Sequence, residues 1–306
     1  MLATVGKAAL GLSAVALAFV LYMVWGTSLV EGQGQQDLRS DFEALMVDAE
    51  AAAPAPSSTA EDAALPQPRS YALGEGVARI EIPSIGVDKF VVEGVGVAEL
   101  RNGPGHYQNT PMPGEPGNVA IAGHRTTYGA PFGSIDELEP GSSIRVTTVE
   151  GAFDYEVAGQ GIVRPEDTHV IGDYGDNRLT LTSCHPRGSA RERIIVVASQ
   201  VTPPTSLQTA GAEVETGAEP VLDGEDVEAS LEGGAVEVVS TGFDGNDASV
   251  VPAVLWALVV VAVVVAIGVG AKFWRRWAAY LLGAPFILVA LFLWFERLAD
   301  VMPAGY

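Results

Sequence analysis

The longest apolar segments of the chain lie towards its two ends. Residues 8–25 form an uncharged run, and residues 251–271 and 277–295 form two more that are separated by the short stretch KFWRR. A run of this length is sufficient to cross the hydrocarbon core of a bilayer. A buried hairpin is the alternative for the C-terminal pair, but runs this long and this purely apolar are rare in water-soluble domains. We therefore predict one N-terminal and two C-terminal transmembrane helices.

The N-terminal run also has an alternative interpretation as a secretory signal peptide, because Lys7 precedes it. An uncleaved anchor is favoured, since the run is long for a signal and no small-x-small cleavage site follows it. Basic residues flank the membrane at Lys7 and at 272–276, and such residues remain on the cytoplasmic side. This orientation predicts a multi-pass protein of the cell membrane, with residues 26–250 extracytoplasmic.

Between the apolar runs, residues 71–203 contain short segments in which apolar and polar side chains alternate. Glycine and proline separate these segments, which include ARIEI, GNVAIAGH, SSIRVTTV, FDYEVAG, RLTLTSC and RIIVVA. Repeated short strands with turn signals are typical of a mostly-β sandwich or barrel. About 130 residues are enough for one hydrophobic core.

The remaining segments are expected to connect these parts. Residues 31–47 can form a short helix, and residues 48–70 are rich in Pro, Ala and Ser. Residues 204–250 are acidic and contain no Lys or Arg, which indicates a solvated tether. The predicted organisation is an anchor at 1–30, an extracytoplasmic linker at 31–70, a catalytic barrel at 71–203, a tether at 204–250 and a transmembrane hairpin at 251–306.

The charge and the cysteine count narrow the possible functions. The chain of 306 residues has a formal net charge of −21, which argues against nucleic-acid binding. Its acidic stretches lack the ligand spacing of a calcium loop. Cys184 is the only cysteine, so no internal disulfide can form. A thiol in an oxidising compartment is then either buried and inert or used in chemistry.

Strand parity places Cys184 on the polar side of its strand. Side chains alternate between the two faces, with Leu179, Leu181 and Ser183 on one and Thr180, Thr182 and Cys184 on the other. The leucines form the core-seeking set, so Cys184 is expected at the mouth of a strand. In GNVAIAGH, parity likewise separates two sets, Val119 and Ile121 on one face and Ala120, Ala122 and His124 on the other.

A cysteine, a histidine and an arginine together meet the requirements of acyl transfer. A thiolate is a strong nucleophile, a histidine can move the proton, and an arginine can stabilise an oxyanion or bind substrate. His124 alone would equally suit a structural role. Arg193 opens the strand RIIVVA nine residues after Cys184, but periodicity does not distinguish it from Arg191.

Several of these segments resemble the sortase family. LTLTSCHP is similar to the sortase signature Thr-Leu-x-Thr-Cys, with Ser183 in place of the usual Thr. AGHRTTYGAPF resembles the segment of the catalytic His, and RERIIVVA resembles the strand of the catalytic Arg. GPGHY and PGEPGNVAIAGHR are similar in particular to the actinobacterial class E sortases. The resemblance covers roughly residues 74–203.

The resemblance implies an eight-stranded sortase β-barrel with Cys184 as nucleophile, His124 as general acid/base and Arg193 as oxyanion or substrate stabiliser. It implies cleavage of an LPxTG-like sorting signal between Thr and Gly, through a thioacyl enzyme, and transfer to a cell-wall amine. In class E enzymes a Tyr at the position of Tyr107 is associated with LAxTG. The implied substrate contacts are Tyr107, Ala122, Thr180, Thr182 and Ser183.

No cofactor is expected. No metal is expected either, because His106 and His169 offer no spacing for a metal site and no HExxH motif occurs. The implied partners are secreted proteins that carry a sorting signal, the amine of a lipid-linked peptidoglycan precursor, and the membrane.

Four other functions remain open. A pilin-polymerising sortase would also carry a C-terminal anchor, although it usually has an Asp-Pro-aromatic lid, and no Asp-Pro occurs in residues 26–70. A catalytically silent receptor would bind the sorting signal without turnover. An L,D-transpeptidase would place Gly before Cys, whereas this chain reads Thr-Ser-Cys-His-Pro. A redox sensor would depend on Cys184 alone, so that His124 and Arg193 could be replaced without loss of function.

Overall fold

The computed structural model describes residues 2–52, 70–201, 250–273 and 276–301. These residues fall into two compact units. One contains the apolar segments near the two ends of the chain, and the other contains the β-rich region with the helix that precedes it. The predicted tether at 204–250 and much of the predicted linker lie outside the described residues.

Within the described residues, eight strands form the β-rich unit: β1 (Gly76–Ile82), β2 (Val87–Glu93), β3 (Gly105–His106), β4 (Asn118–Ala122), β5 (Ser143–Thr148), β6 (Gly151–Val163), β7 (Arg178–His185) and β8 (Glu192–Gln200). They close into a barrel in the order β1-β2-β3-β4-β7-β8-β6-β5. The prediction of a closed, eight-stranded β-barrel is confirmed.

Two neighbouring pairings bring distant parts of the sequence together. Strand β7 pairs in parallel with β4, from Asn118 opposite Arg178 to Ala122 opposite Thr182. On its other side β7 pairs antiparallel with β8, where Cys184 lies opposite Arg193. Parallel strands need a long connection, and here strands β5 and β6 supply it. The C-terminal end of β7 therefore lies between the end of β4 and the start of β8.

The barrel core contains the apolar sets that strand parity indicated. Val119 and Ile121 of β4 and Leu179 and Leu181 of β7 are at most 1% exposed and belong to one cluster of buried side chains. Phe132 from the loop after β4 packs into the same cluster. The alternation that predicted these strands thus arises because one face of each strand fills the barrel.

The opposite face of the same strands is also covered. Ala120 and Ala122 belong to a second buried cluster that includes Val170 and Ile171 from the 3-10 turn Thr168–Ile171. The buried Asn118 side chain donates to the carbonyls of Val170 (3.2 Å) and Gly172 (2.8 Å). This amide therefore fixes the turn between β6 and β7 over the strand face that leads to Cys184.

Helices precede and interrupt the barrel. Helix α1 (Leu2–Leu21), a π-helical turn (Tyr22–Gly26) and helix α2 (Thr27–Ala52) come first, and the short helix α3 (Val97–Leu100) lies between β2 and β3. Helix α2 is longer than the helix predicted over 31–47. The first part of the segment expected to be a linker is thus helical, and the side chain of Leu38 is only 2% exposed.

The other unit contains helices α4 (Val251–Phe273) and α5 (Arg276–Val301) together with α1. Within the described residues three helices are long and apolar enough to cross a membrane. They contain the predicted spans 251–271 and 277–295 and overlap the predicted span 8–25. Aromatic contacts join the N-terminal and C-terminal segments, including Phe19 against Phe295 with ring centroids 5.2 Å apart. The prediction of one N-terminal and two C-terminal apolar helices is confirmed.

Candidate active site

Cys184 lies near the C-terminal end of β7 and is partly buried. Directly opposite residues in an antiparallel pair have their Cβ atoms about 4.5–5.5 Å apart, so its side chain and that of Arg193 are neighbours on one face. Burial raises the pKa of the Cys184 thiol, while the positive charges of Arg193 and Arg125 act in the opposite direction. The cationic environment thus offsets part of the cost of forming a thiolate here.

Arg193 is held in place by backbone carbonyls. Its Nη1 donates to the carbonyls of Ala190 (3.1 Å) and Glu192 (3.2 Å), and the side chain is partly buried. Arg191 is exposed and precedes strand β8. Sequence periodicity left the two arginines equivalent, whereas the strand register sets Arg193 opposite the cysteine.

His124 follows β4 by two residues. The Gly123 N–H donates to the carbonyl of Thr182 (3.0 Å), which continues the β4–β7 pairing past its last paired residues. The same register, extended by one more residue, brings His124 level with Cys184. Adjacent strands are about 4.8 Å apart, so this register sets the two residues at neighbouring positions along the two chains.

The imidazole of His124 is enclosed by the loop that follows it. Its ring centroid is 5.1 Å from that of Tyr128, over which the guanidinium of Arg101 lies at 5.9 Å. The His124 Nε2 atom is buried and has no hydrogen-bond partner among the described residues. Burial, and then the positive charge of Arg101, lower the pKa of His124 to about 4. The imidazole is therefore neutral near pH 7.

The loop after His124 contains strained backbone. Tyr128 and Ala130 have positive φ angles of 50° and 44°, which are uncommon for residues other than glycine. The Phe132 N–H donates to the His124 carbonyl (3.2 Å), and Phe132 is fully buried. A Cβ on Gly123 would lie 2.6 Å from the Phe132 ring. Glycine at 123 is therefore required for the phenylalanine to anchor this loop beside the histidine.

Tyr107 lies on the same side of the sheet as the cysteine. Its hydroxyl is 3.2 Å from the Thr182 hydroxyl, and both side chains are buried. Burial raises the pKa of Tyr107 to about 12, while the Thr182 hydrogen bond and the Arg193 charge act against that rise. The phenol is therefore neutral, and the pair joins the segment after β3 to the face of β7 that leads to Cys184.

The other three predicted substrate contacts are buried in this structure. Ala122 is 7% exposed, and Thr180 is fully buried with its hydroxyl donating to Asn118 Oδ1 (2.7 Å). Ser183 faces the other side of the strand, as parity predicts, and donates to the Gly123 carbonyl (2.7 Å). Its hydroxyl thus fixes the end of β4 next to β7. Roles in substrate binding remain predictions for all three.

Several residues around the site carried no functional signal in the sequence. Asn118 fixes the turn over the strand face, and Arg125 forms hydrogen bonds around the end of β7. His106, next to Tyr107, is buried and its Nδ1 lies 2.9 Å from Glu93 Oε2. Their roles depend on partners 13 to 59 residues away, which no local pattern indicates. Among the described residues no group of His, Cys, Asp and Glu side chains could hold a metal ion.

The arrangement has the chemistry of a nucleophile with a proton acceptor on one side and a cation on the other. A raised thiol pKa and a lowered imidazole pKa make the uncharged pair the resting state near neutral pH. Transfer of the thiol proton to His124 would create a thiolate beside Arg193. Such a group can attack a carbonyl carbon and have the resulting negative charge stabilised.

Comparison with known proteins relates the β-rich region to one family. A family model for the sortase domain matches residues 80–201. Sortase D of Bacillus subtilis is 35% identical over 133 residues, which cover 42% of this chain and 66% of the relative. Sortase SrtE1 of Streptomyces coelicolor is 35% identical over 145 residues, covering 42% of this chain and 41% of the relative.

Sortases are also among the solved structures that are similar to this chain. The sortase D5 transpeptidase of Clostridium perfringens is 30% identical, with a TM-score of 0.45, and the match covers 57% of this chain and all of that chain. Sortase E of Streptomyces avermitilis is 35% identical, with a TM-score of 0.40, and the match covers 47% of this chain and 98% of that chain.

The chain belongs to the sortase family, whose members are cysteine transpeptidases. Class E sortases are among both the relatives and the solved structures. The sequence-based recognition of a sortase is therefore confirmed. The chain spans 66% and 41% of the length of the two relatives named above.

Proposed function

We propose that this chain is a membrane-anchored sortase with Cys184 as nucleophile, His124 as general acid/base and Arg193 as stabiliser of the oxyanion or of the substrate. One observation carries the proposal. Cys184 lies on the central strand of three, with His124 level with it on the side of β4 and Arg193 opposite it on β8.

The reaction begins with transfer of the Cys184 thiol proton to the neutral imidazole of His124. The sulfur then attacks the carbonyl carbon of the Thr in the sorting signal, and Arg193 stabilises the negative oxygen of the tetrahedral intermediate. The C–N bond to Gly breaks as the imidazolium gives its proton to the departing amine. A thioester between the Thr carbonyl and Cys184 remains.

Resolution of the thioester reverses these roles. An amine of the cell-wall precursor attacks the thioester carbonyl, and His124 takes the proton that this amine loses. The C–S bond breaks, and the sulfur is protonated again. Water can replace the amine, in which case the product is a carboxylic acid. Transfer therefore depends on how well the amine competes with water for the acyl enzyme.

The proposed sorting signal is LAxTG-like or LPxTG-like and lies against the face that leads to Cys184. Tyr107, Ala122, Thr180, Thr182 and Ser183 are the proposed contacts. Tyr107 and Thr182 support this role through their shared hydrogen bond beside the cysteine. Thr180 lies under the turn Thr168–Ile171, so a substrate would reach it only if that turn moves.

The proposed setting is the cell membrane, with the barrel on the extracytoplasmic side. The proposed domain organisation is the five segments given above, with helix α2 forming the first part of the segment 31–70. In this setting the partners are secreted proteins with a sorting signal and the lipid-linked precursor of peptidoglycan. The three apolar helices support the membrane attachment.

The test uses the full chain in detergent or lipid nanodiscs. LAxTG and LPxTG peptides are incubated with it, with and without a glycine-based amine, and the products are followed by mass spectrometry. We expect cleavage after Thr and a thioacyl adduct on Cys184. Cys184→Ala should abolish both, and His124→Ala and Arg193→Ala should reduce the rate by about 100-fold or more. Arg191→Ala is the matched control and should remain active.

Two outcomes would contradict the proposal. Peptide binding with neither cleavage nor an adduct would indicate the silent receptor. Cleavage that survives Cys184→Ala would exclude this thiol as the nucleophile. Selective transfer to a lysine-bearing pilin peptide in place of the glycine-based amine would instead favour the pilin-polymerising alternative.

A further inference from the structure

Arg125 is a buried cation immediately after His124. Its side chain is 2% exposed, although arginine is seldom buried without partners. Nε donates to the Gly133 carbonyl (3.0 Å), Nη1 donates to the Cys184 carbonyl (3.2 Å), and Nη2 pairs with Asp136 Oδ1 (2.7 Å). The guanidinium therefore contacts two segments, the stretch from Gly133 to Asp136 and the end of β7.

These contacts join the two segments whose relative position decides the reaction. The first is the loop that begins at His124 and returns to Gly133. The second is the end of β7, held at the carbonyl of Cys184. The regular β4–β7 pairing ends at Ala122 opposite Thr182, two residues before His124 and Cys184. Beyond that point the two segments are joined by the Arg125 hydrogen bond to the Cys184 carbonyl. The hydrogen bonds of Gly123 with Thr182 and Ser183 join them as well.

Arg125 also contributes charge to the nucleophile. Two positive charges act on Cys184, that of Arg193 from β8 and that of Arg125 from the loop after β4. Tyr107, beyond β3, is close enough to interact electrostatically with Cys184 and Arg193. Both arginines act against the effect of burial on the thiol pKa, and Arg193 has the larger effect. A Lys at 125 would preserve the charge, but it lacks the planar fork that reaches three partners.

We propose that Arg125 is a positioning residue of this active site, which holds the backbone of Cys184 level with His124 and places a second positive charge beside the nucleophile. The inference rests on the proposed function and extends it to a residue outside the three proposed catalytic side chains. Asp136 orients the guanidinium, and this carboxylate is itself exposed at the surface.

The experiment compares Arg125→Met and Arg125→Lys in the full chain. The control is Arg145→Met, because Arg145 makes an equally short ion pair with Asp154 (2.7 Å) on two strands that carry none of the proposed catalytic residues. Peptide cleavage gives kcat and KM. The pH dependence of alkylation by iodoacetamide reports Cys184 alone, since the chain has no other thiol.

Arg125→Met is expected to lower kcat by about 10-fold to 100-fold, with KM changed by less than about 3-fold, because a charge-assisted hydrogen bond at the nucleophile is lost. Its alkylation profile should shift to higher pH. Arg125→Lys should keep an alkylation profile close to that of the unchanged chain but recover only part of kcat. Arg145→Met should match the unchanged chain in both measurements.

The proposal is overturned if Arg125→Met folds and retains both kcat and the alkylation profile. It is also overturned if the variant loses activity only through KM. Should Arg125→Met fail to fold, Asp136→Asn tests the same point. This variant keeps the guanidinium of Arg125 and removes the negative charge that orients it. An unchanged kcat in Asp136→Asn would then count against the proposal. Failure of the proposed function appears separately, as absence of cleavage by the unchanged chain.

Discussion

His124 binds its proton differently in the folded and the unfolded chain. Burial and the Arg101 charge lower its pKa to about 4 in the folded protein, against about 6.5 for an unperturbed histidine. The unfolded chain therefore takes up this proton first as the pH falls. The contribution of this pKa difference to the free energy of unfolding is fully present above about pH 6.5. It is lost progressively as the pH falls towards 4.

This difference predicts an acid-sensitive barrel. Between pH 7 and pH 4 the protonation of His124 should remove up to about 3 kcal/mol from the free energy of unfolding. His124→Gln is neutral throughout this range and should lose less stability on acidification. Urea unfolding of the β-rich unit, followed by pulse proteolysis at several pH values, measures both proteins. An identical loss in the two would show that other groups account for the acid sensitivity.

At the same scale, the sequence indicated the candidate site residues but not the partners that the structure gives them. Alternation in RLTLTSC and GNVAIAGH correctly separated the core side chains from those that lead to Cys184 and His124. Nothing local indicated that Arg125 binds the Cys184 carbonyl or that Asn118 fixes the turn over β4. Such contacts depend on the order in which the strands pair, and the hydrophobic periodicity of the sequence does not predict that order.

Helix α2 shows at the scale of an element why part of the fold was missed. The side chains that hold it to the barrel recur at helical spacing, but two of the four are polar: Glu31, Gln35, Leu38 and Phe42. Glycines also interrupt its sequence, and glycine is a poor helix former. A hydrophobic pattern therefore predicted only a short helix, whereas tertiary contacts support 26 residues.

The contacts of Gln35 are central to this docking. Its Nε2 donates to the carbonyls of Phe90 (2.9 Å) and Asn102 (2.7 Å), and its Oε1 accepts from the Phe90 N–H (2.8 Å). The amide thus pairs with backbone groups of β2 and of the segment after α3. Gly34 allows this approach, because a Cβ there would lie 2.4 Å from Asn102 Oδ1.

Gln35→Ala is therefore expected to loosen α2 from the barrel by about 1–3 kcal/mol, since three hydrogen bonds to backbone groups are lost. Hydrogen exchange followed by mass spectrometry should show faster exchange in α2 and in β2. Gln33→Ala, at an exposed position of the same helix, is the control and should leave exchange unchanged. Equal protection in the two variants would mean that the apolar contacts of Leu38 and Phe42 suffice.

At the scale of the whole molecule, the proposed membrane orientation rests on a few basic residues. Lys7 precedes the first apolar run, and Lys272, Arg275 and Arg276 separate the second from the third. With these positions cytoplasmic, the segment that contains the barrel lies outside the cytoplasm. The net charge of −21 has no part in this argument, because the extracytoplasmic segment is too long for its charge to decide orientation.

The orientation predicts that a charged, membrane-impermeant methanethiosulfonate labels Cys184 in intact cells as fully as in permeabilised cells. Cys184→Ala provides the background signal. Glu166→Cys in that background places a thiol at an exposed position of the barrel, so that poor access to Cys184 is not mistaken for a cytoplasmic location. Labelling of Glu166→Cys only after permeabilisation would reverse the proposed orientation.

The parallel pairing of β4 with β7 has a consequence for the time at which activity appears. The two strands are 60 residues apart in the sequence, so they meet only after a large loop has closed, and contacts of this kind form slowly and late in folding. Strand β8, which supplies the proposed arginine, comes last in the barrel. A chain still emerging from the membrane therefore carries a thiol that lacks its histidine and arginine. The proposed nucleophile acquires both proposed partners only when the barrel closes, so we expect newly made, unfinished copies to be inactive towards the polypeptides exported beside them.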